Sequence, residues 1–369
     1  MDNFFEIVKF LSQFQFLGRK KMEQKNLYEN SQQYKQPTMI KNENDINLNL
    51  IDQSVQQFDL CSDIVFNCSG TIMVSTNGLN IEVWSFENGK INLINSLKGH
   101  SNYVNCLVYS QKQDIFLSGS GDKTIRIWIK QEQNDWISSY YPSNSGYVQC
   151  LLLNKNEDQL FCGNEDKSIK VWQVDFEKKQ LNFLYSLEKH EKSVEAISLN
   201  QSESKLVSCA DGYDQIIIWE RGSQNQMVFK YIVNQSIYNY GRKVKFLKEN
   251  QFIWATASNT EIAKIYVFQL QNGVFEENQE QTIELISNNY IYDEHQFPIV
   301  HIKEQNLILV RHKTHIYLIR EMNNGQYKIA GQLDCEQNYT VGTLTNNGSH
   351  LVYWNLQNKR YSIYELEYK

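Results

Sequence analysis

Proline is almost absent from this chain, with three residues in 369. That excludes a proline-rich linker protein and leaves nearly every backbone amide free to join a ladder. A long hydrophobic run is also missing. The most apolar stretch lies at the start, where Glu6 and Lys9 interrupt it, and it is too short to span a bilayer. An excess of positive charge is absent: 36 Lys and Arg face 42 Asp and Glu, for a net charge of -6. A primary nucleic-acid binder, which needs a basic face to neutralise phosphates, is therefore not expected. The seven cysteines show no CxxC spacing, so neither a metal centre nor a disulfide framework is expected, and free thiols suit a reducing, intracellular and cytoplasmic setting. No phosphate-binding glycine loop of the Walker or GxGxxG kind occurs, and no cofactor is expected.

Aromatic residues are plentiful at 13%, much of it Tyr, which favours strands. Asn and Gln make up roughly a fifth of the residues. They are interleaved with strand patterns and form no tracts, which reads as a compositional habit of surfaces and turns. Four glycosylation sequons begin at Asn67, Asn234, Asn338 and Asn347 and read as accidental.

Residues 1–45 differ from the rest. Phe4, Ile7, Val8, Leu11 and Phe14 recur at helical spacing, followed by Arg19, Lys20 and Lys21. Three readings stay open: an amphipathic helix over 4–17 that contacts a partner or a membrane surface, a gene-model extension upstream of a start at Met22, and a mitochondrial-type presequence. Residues 22–45 read as a polar tether.

From residue 46 onward, short alternating strands are separated by turn signals, and one spacing repeats. His100, Ser118, Asp122 and Trp128 form a first set. Asn144, Cys162, Asp166 and Trp172 repeat its intervals, and His190, Ser208, Asp214 and Trp219 do so with one extra residue in the turn, where Asp211 rivals Asp214. Asn-Gly pairs at 88–89, 272–273 and 324–325 are expected to close a third strand onto a fourth, and that at 347–348 a first onto a second. The pattern gives seven units, at about 58–98, 99–142, 143–188, 189–234, 235–284, 285–335 and 336–369. The last has three strands only. Ile46–Ile51 alternates correctly to supply its fourth from the other end of the chain, which would remove an open edge.

Gly99-His100 with Leu117-Ser-Gly-Ser-Gly-Asp122-Lys-Thr-Ile-Arg-Ile-Trp128 resembles a consensus beta-transducin, or WD, repeat. The resemblance is strong over 99–219, moderate over 58–98 and only patterned over 235–369. It implies an all-β, seven-bladed propeller of four-stranded antiparallel blades over 46–369, with the His, Ser, Asp and Trp of each set hydrogen-bonded inside a blade. A catalytic reading of the Ser, His and Asp is disfavoured, because the set recurs, includes a Trp donor and lacks oxyanion donors. The third unit, with Asn144 and Cys162, is expected to be more weakly tied. Units five to seven lack the set and should rely on Ile265, Val267, Leu307, Ile308, Leu309, Ile316 and Leu318, with Phe268 in place of the Trp. His295, His301, His312 and His315 lie close in sequence but at irregular spacing, and read as surface or turn residues.

What the resemblance implies for function is a non-catalytic scaffold that binds other proteins and assembles a complex. A component of cytosolic iron–sulfur protein assembly and a propeller enzyme with a channel-mouth active site are the alternatives. Tyr103 and Tyr147 stand just before equivalent strands, followed by Asn105 and Gln149, with Glu165 and Tyr213 before the turn aspartates. Tyr and adaptable amides suit protein recognition, so these six residues are the candidate partner surface, against the alternative that the tyrosines merely cover the core edge.

Overall fold

The computed structural model describes residues 45–369 except 133–134, 143–145, 212–215, 238–240, 257–262, 288–296 and 337–338. The N-terminal residues 1–44, with the amphipathic stretch 4–17, lie outside the described residues, as do Asn144, Tyr213, Asp214 and His295. Among the described residues there is no helix long and apolar enough to cross a membrane.

Seven antiparallel sheets form a ring of blades of four strands each, in sequence order from channel to rim in the first six, while the seventh takes its outermost strand from the N-terminal side. The first blade is built from Ile64–Phe66, Ile72–Asn77, Asn80–Glu87 and Lys90–Leu97. The second holds Val104–Tyr109, Ile115–Ser120, Thr124–Lys130 and Trp136–Pro142, and the third Val148–Leu153, Gln159–Asn164, Ser168–Asp175 and Gln180–Glu188. The fourth holds Val194–Leu199, Lys205–Ala210, Ile216–Arg221 and Met227–Ile232. The fifth consists of Gly241–Lys248, Gln251–Thr256, Lys264–Gln271 and Val274–Glu277, with Ile283–Glu284 also pairing to its third strand. The sixth comprises Val300–Ile302, Leu307–His312, His315–Glu321 and Tyr327–Asp334. Thr340–Leu344, His350–Asn355 and Arg360–Tyr368 make three strands of the seventh, and Ile46–Asp52 supplies the fourth.

The closing strand pairs Ile46 with Tyr368, Leu48 with Leu366 and Leu50 with Tyr364. Its alternation sorts the side chains: Ile46 and Leu48 are buried with Leu318, Leu333, Leu351 and Leu366, while Asn47 and Asn49 reach outward to Glu367. The segment that follows stitches the seam. Gln53 donates to Ser362 Oγ, Arg360 donates to the Gln53 carbonyl, and the Trp354 indole donates to the Gln57 carbonyl at 3.1 Å.

The central strands of each blade are buried on both sides, as in Ile115–Ser120, because each blade packs its two faces on its neighbours. The Asn-Gly turns at 88–89 and 272–273 are two-residue hairpins with positive φ at both positions, joining third to fourth strands. Those at 324–325 and 347–348 also join the expected strands, but inside longer loops. Asn67 is buried, and its Oδ1 accepts from the Thr71 and Ile72 amides, so the sequon there is part of a turn.

A second repeat, invisible as a motif, ties blade to blade. In the turn after the innermost strand of the third, fourth and fifth blades a glutamate reaches back to the preceding blade. Glu157 accepts from Ser110 Oγ and the Gln111 amide, both at 2.6 Å. Glu203 accepts from the Lys155 amide at 2.6 Å, and Glu249 from the Ser202 amide at 2.8 Å and Ser202 Oγ at 2.6 Å. Burial opposes the charge on Glu249, yet the Ser202 bonds hold its carboxyl below the ordinary range. Such charge-assisted bonds are roughly twice as strong as neutral ones.

Candidate functional site on the upper face

The face carrying the turns between second and third strands, and the links into each innermost strand, is called upper here. Inside the second blade the four-residue set forms a continuous chain. His100 Nδ1 lies 2.8 Å from Asp122 Oδ2, and His100 Nε2 lies 2.7 Å from Ser118 Oγ. The Trp128 indole donates to the same Ser118 Oγ at 2.8 Å. With Nδ1–H directed at the carboxylate, Nε2 accepts the Ser118 hydroxyl proton, and every donor finds an acceptor. Burial works against the charge of Asp122, but bonds from His100, from Thr124 and from the Ser101 amide hold its carboxyl well below the usual range. Gly99 permits the approach, since a Cβ there would meet the Trp128 ring at 3.1 Å.

In the fourth blade His190 Nε2 is 2.7 Å from Ser208 Oγ, which accepts from the Trp219 indole at 2.8 Å. Asp214 lies outside the described residues, and its rival Asp211 is engaged elsewhere, in a bidentate pair with Arg242 at 3.1 Å. The third blade departs. Asp166 accepts from the Ser168 amide and pairs with Lys170 at 3.5 Å, but Cys162 donates to Asn164 Oδ1 and the buried Trp172 indole N–H meets no acceptor among the described residues. Cys162→Ser is expected to supply that acceptor, as Ser118 does for Trp128, and to raise stability by about 1 kcal/mol in denaturant melts. An unchanged or lower midpoint would refute it.

The first blade holds a version that the repeat spacing did not reveal. Trp84 donates to Ser75 Oγ at 2.9 Å, and Tyr361 Oη from the seventh blade takes the place of an imidazole, 2.7 Å from Ser75 Oγ and 2.6 Å from Gln57 Oε1. In the fifth blade Phe268 stacks on Phe252 with centroids 4.8 Å apart. Ile265, Val267, Leu307, Ile308, Leu309, Ile316 and Leu318 are all buried. His312 and His315 flank their hairpin as expected, but both are buried and not surface residues, because the whole turn, including Lys313 and Thr314, is folded into the ring. No group of three metal-ligating side chains is found among the described residues.

The seven innermost strands enclose a channel of about 570 Å³. Its lining carboxylates, Asp63 and Glu195, stand on the first and fourth blades. Asp63 accepts from the Ile64 amide at 2.9 Å and the Leu107 amide at 2.8 Å, while burial pushes its carboxyl up to about 7. Burial also raises Glu195, against the pull of the Arg242 guanidinium.

On the upper face Tyr103 and Tyr147 are 46% and 37% exposed at equivalent sites. Asn105 and Gln149 are half-buried and bridge blades: Asn105 donates to the Val148 carbonyl at 3.0 Å, and Gln149 to Ser193 Oγ at 3.4 Å. Glu165 is exposed and accepts from the Tyr147 amide at 3.4 Å. Leu79, Phe58 and Leu356, which no motif marks, continue this exposed row onto the first and seventh blades, with the Lys359 ammonium 5.9 Å from the Phe58 ring centroid.

The family model described as "WD domain, G-beta repeat" matches residues 91–128 and 136–173. The chain is similar to Periodic tryptophan protein 2 of Saccharomyces cerevisiae, 42% identical over 72 residues, which is 18% of this chain and 8% of that protein. It is also similar to the human Intraflagellar transport protein 122 homolog, 34% identical over 90 residues, 22% of this chain and 7% of the other. Mitochondrial division protein 1 of Schizosaccharomyces pombe is 32% identical over 93 residues, 23% of this chain and 14% of that protein. The alignments thus span a small part of each relative. This chain therefore carries two matched WD repeats, set in a ring of seven four-stranded blades.

Proposed function

We propose that this propeller is a non-catalytic scaffold that assembles a protein complex, and that a protein partner docks on the upper face along the row Leu356, Phe58, Leu79, Tyr103 and Tyr147. The observation that carries the reading is this row itself: five large, partly apolar side chains stand exposed on one face, spread over the seventh, first, second and third blades. Exposed aromatic and aliphatic groups of this kind anchor interfaces, whereas a solvated face has little use for them. Asn105 and Gln149, which tie neighbouring blades, position the row, and Glu165 adds a charge at its edge. Tyr213, expected to join it, lies outside the described residues.

The hydrogen-bonded sets are read as internal struts. His100, Ser118, Asp122 and Trp128 use their donors and acceptors on one another, so no polar atom of the set remains to meet a substrate. The relatives' names point to different settings, intraflagellar transport and mitochondrial division among them, which supports the propeller as a reusable platform.

The test is affinity capture from native extract with the full chain and with Tyr103→Ala/Tyr147→Ala. Loss of about tenfold or more of a captured protein, at unchanged melting temperature, is expected, since a hot-spot aromatic contributes ~2 kcal/mol or more. A set of captured proteins identical in amount for both forms defeats the proposed face.

A further inference from the structure

Charged groups along most of the channel are matched. Arg242 is held by Asp211, Lys243 donates to the Arg311 carbonyl at 2.8 Å, and Asp63 accepts two backbone amides. Lower in the channel the matching stops. Lys245, on the innermost strand of the fifth blade, and His301, on that of the sixth, both line the cavity, and neither has a hydrogen bond or an ion pair with a described residue. The charged groups around His301 are Lys245, Lys248 and Lys303, with Glu304 as the carboxylate that opposes them; around Lys245 the near charge is Lys303.

We propose that the lower half of the channel is a binding site for a small, multiply charged phosphate-class anion, held between Lys245 and His301. In a chain of net charge -6, Lys245 with Lys303 nearby makes the lower end of the cavity locally positive. The cavity of about 570 Å³ falls in the range of small-molecule sites and is too narrow for a folded partner. The half-buried Lys245 ammonium has no carboxylate partner among the described residues, and a bound anion supplies that counter-charge. Burial, then the neighbouring lysines, lowers His301 to about 4, and burial likewise lowers Lys245. His301 is therefore neutral near pH 7 in the free protein. A bound anion favours its protonated form, so binding is coupled to proton uptake and weakens as pH rises.

The test is calorimetric titration of the full chain with inorganic pyrophosphate at pH 6 and pH 8, at constant ionic strength set with sodium chloride. The wild-type chain is expected to bind, more tightly at pH 6. Lys245→Met should weaken binding about tenfold or more, while its unliganded melting temperature stays equal to or above that of the wild type. His301→Gln should bind with less pH dependence, and carries the test by itself if the lysine variant folds poorly. Lys123→Met, in the upper-face turn, should leave the affinity unchanged. No binding by the wild type, or equal binding and equal pH dependence in both channel variants, overturns the proposal.

Discussion

A chain that begins at Gln53, and so lacks Ile46–Asp52, melts cooperatively far below the intact protein and self-associates. The removed strand contributes Ile46 and Leu48, both buried in the cluster with Leu318, Leu333, Leu351 and Leu366. Burial of two such side chains is worth ~3–6 kcal/mol, a large part of the ~5–15 kcal/mol that stabilises an ordinary domain. The loss also strips the outer edge of Arg360–Tyr368, leaving a nine-residue strand with unpaired amides and carbonyls on one side. A long open edge recruits another chain, hence the self-association. Thermal melts and size-exclusion chromatography read both effects, and a synthetic peptide of residues 45–52 added in trans should reverse them. An undiminished melting temperature for the shortened chain would show that ring closure contributes nothing.

Ser118→Ala has the second largest expected effect. The Ser118 hydroxyl is the hub at which His100 Nε2 and the Trp128 indole meet, and all three groups are buried. Its removal orphans two buried polar atoms, at ~1–3 kcal/mol each, so a loss of ~2–6 kcal/mol is expected in denaturant unfolding. Ser208→Ala should cost about the same, since it orphans His190 and Trp219 in the same way. Cys162→Ala should cost clearly less, because Trp172 has no bond to lose there. Equal losses at all three positions would mean that the stability comes from packing alone.

The same set carries a pH signature. Asp122 has its folded pKa below the unfolded value near 4, so its contribution is present above pH ~4 and lost as pH falls through the folded value. The stability gap between the wild type and Asp122→Asn should therefore be constant from pH 5 to 8 and shrink in stronger acid. A gap that grows on acidification would contradict the assignment.

Much of this was legible in the chain. The repeated spacing marked Ser118, Trp128, Ser208 and Trp219 because a hydrogen-bonded set needs fixed residue types at fixed places. The closing strand was legible because Ile46 and Leu48 alternate with asparagines, and a half-buried strand must have period 2. The first blade's version escaped notice for a physical reason: Tyr361, which replaces the imidazole beside Ser75, comes from the far end of the chain. The latch glutamates 157, 203 and 249 do recur in three successive blades, but a lone exposed-type residue in a turn has no signature until its target amide is placed beside it.

By itself, then, the sequence determined the number and order of the blades, the strand that seals the ring and the residues that brace the best-preserved blades. These follow from local periodicity, turn chemistry and spacing. The tertiary structure alone decided which residues face the channel, the neighbouring blade or the open upper surface. Both faces of a blade are buried, so alternation along a strand separates two sides without saying what either side meets. Lys245 and His301 in the channel, and Leu79, Phe58 and Leu356 beside the tyrosines, become neighbours only when the ring closes.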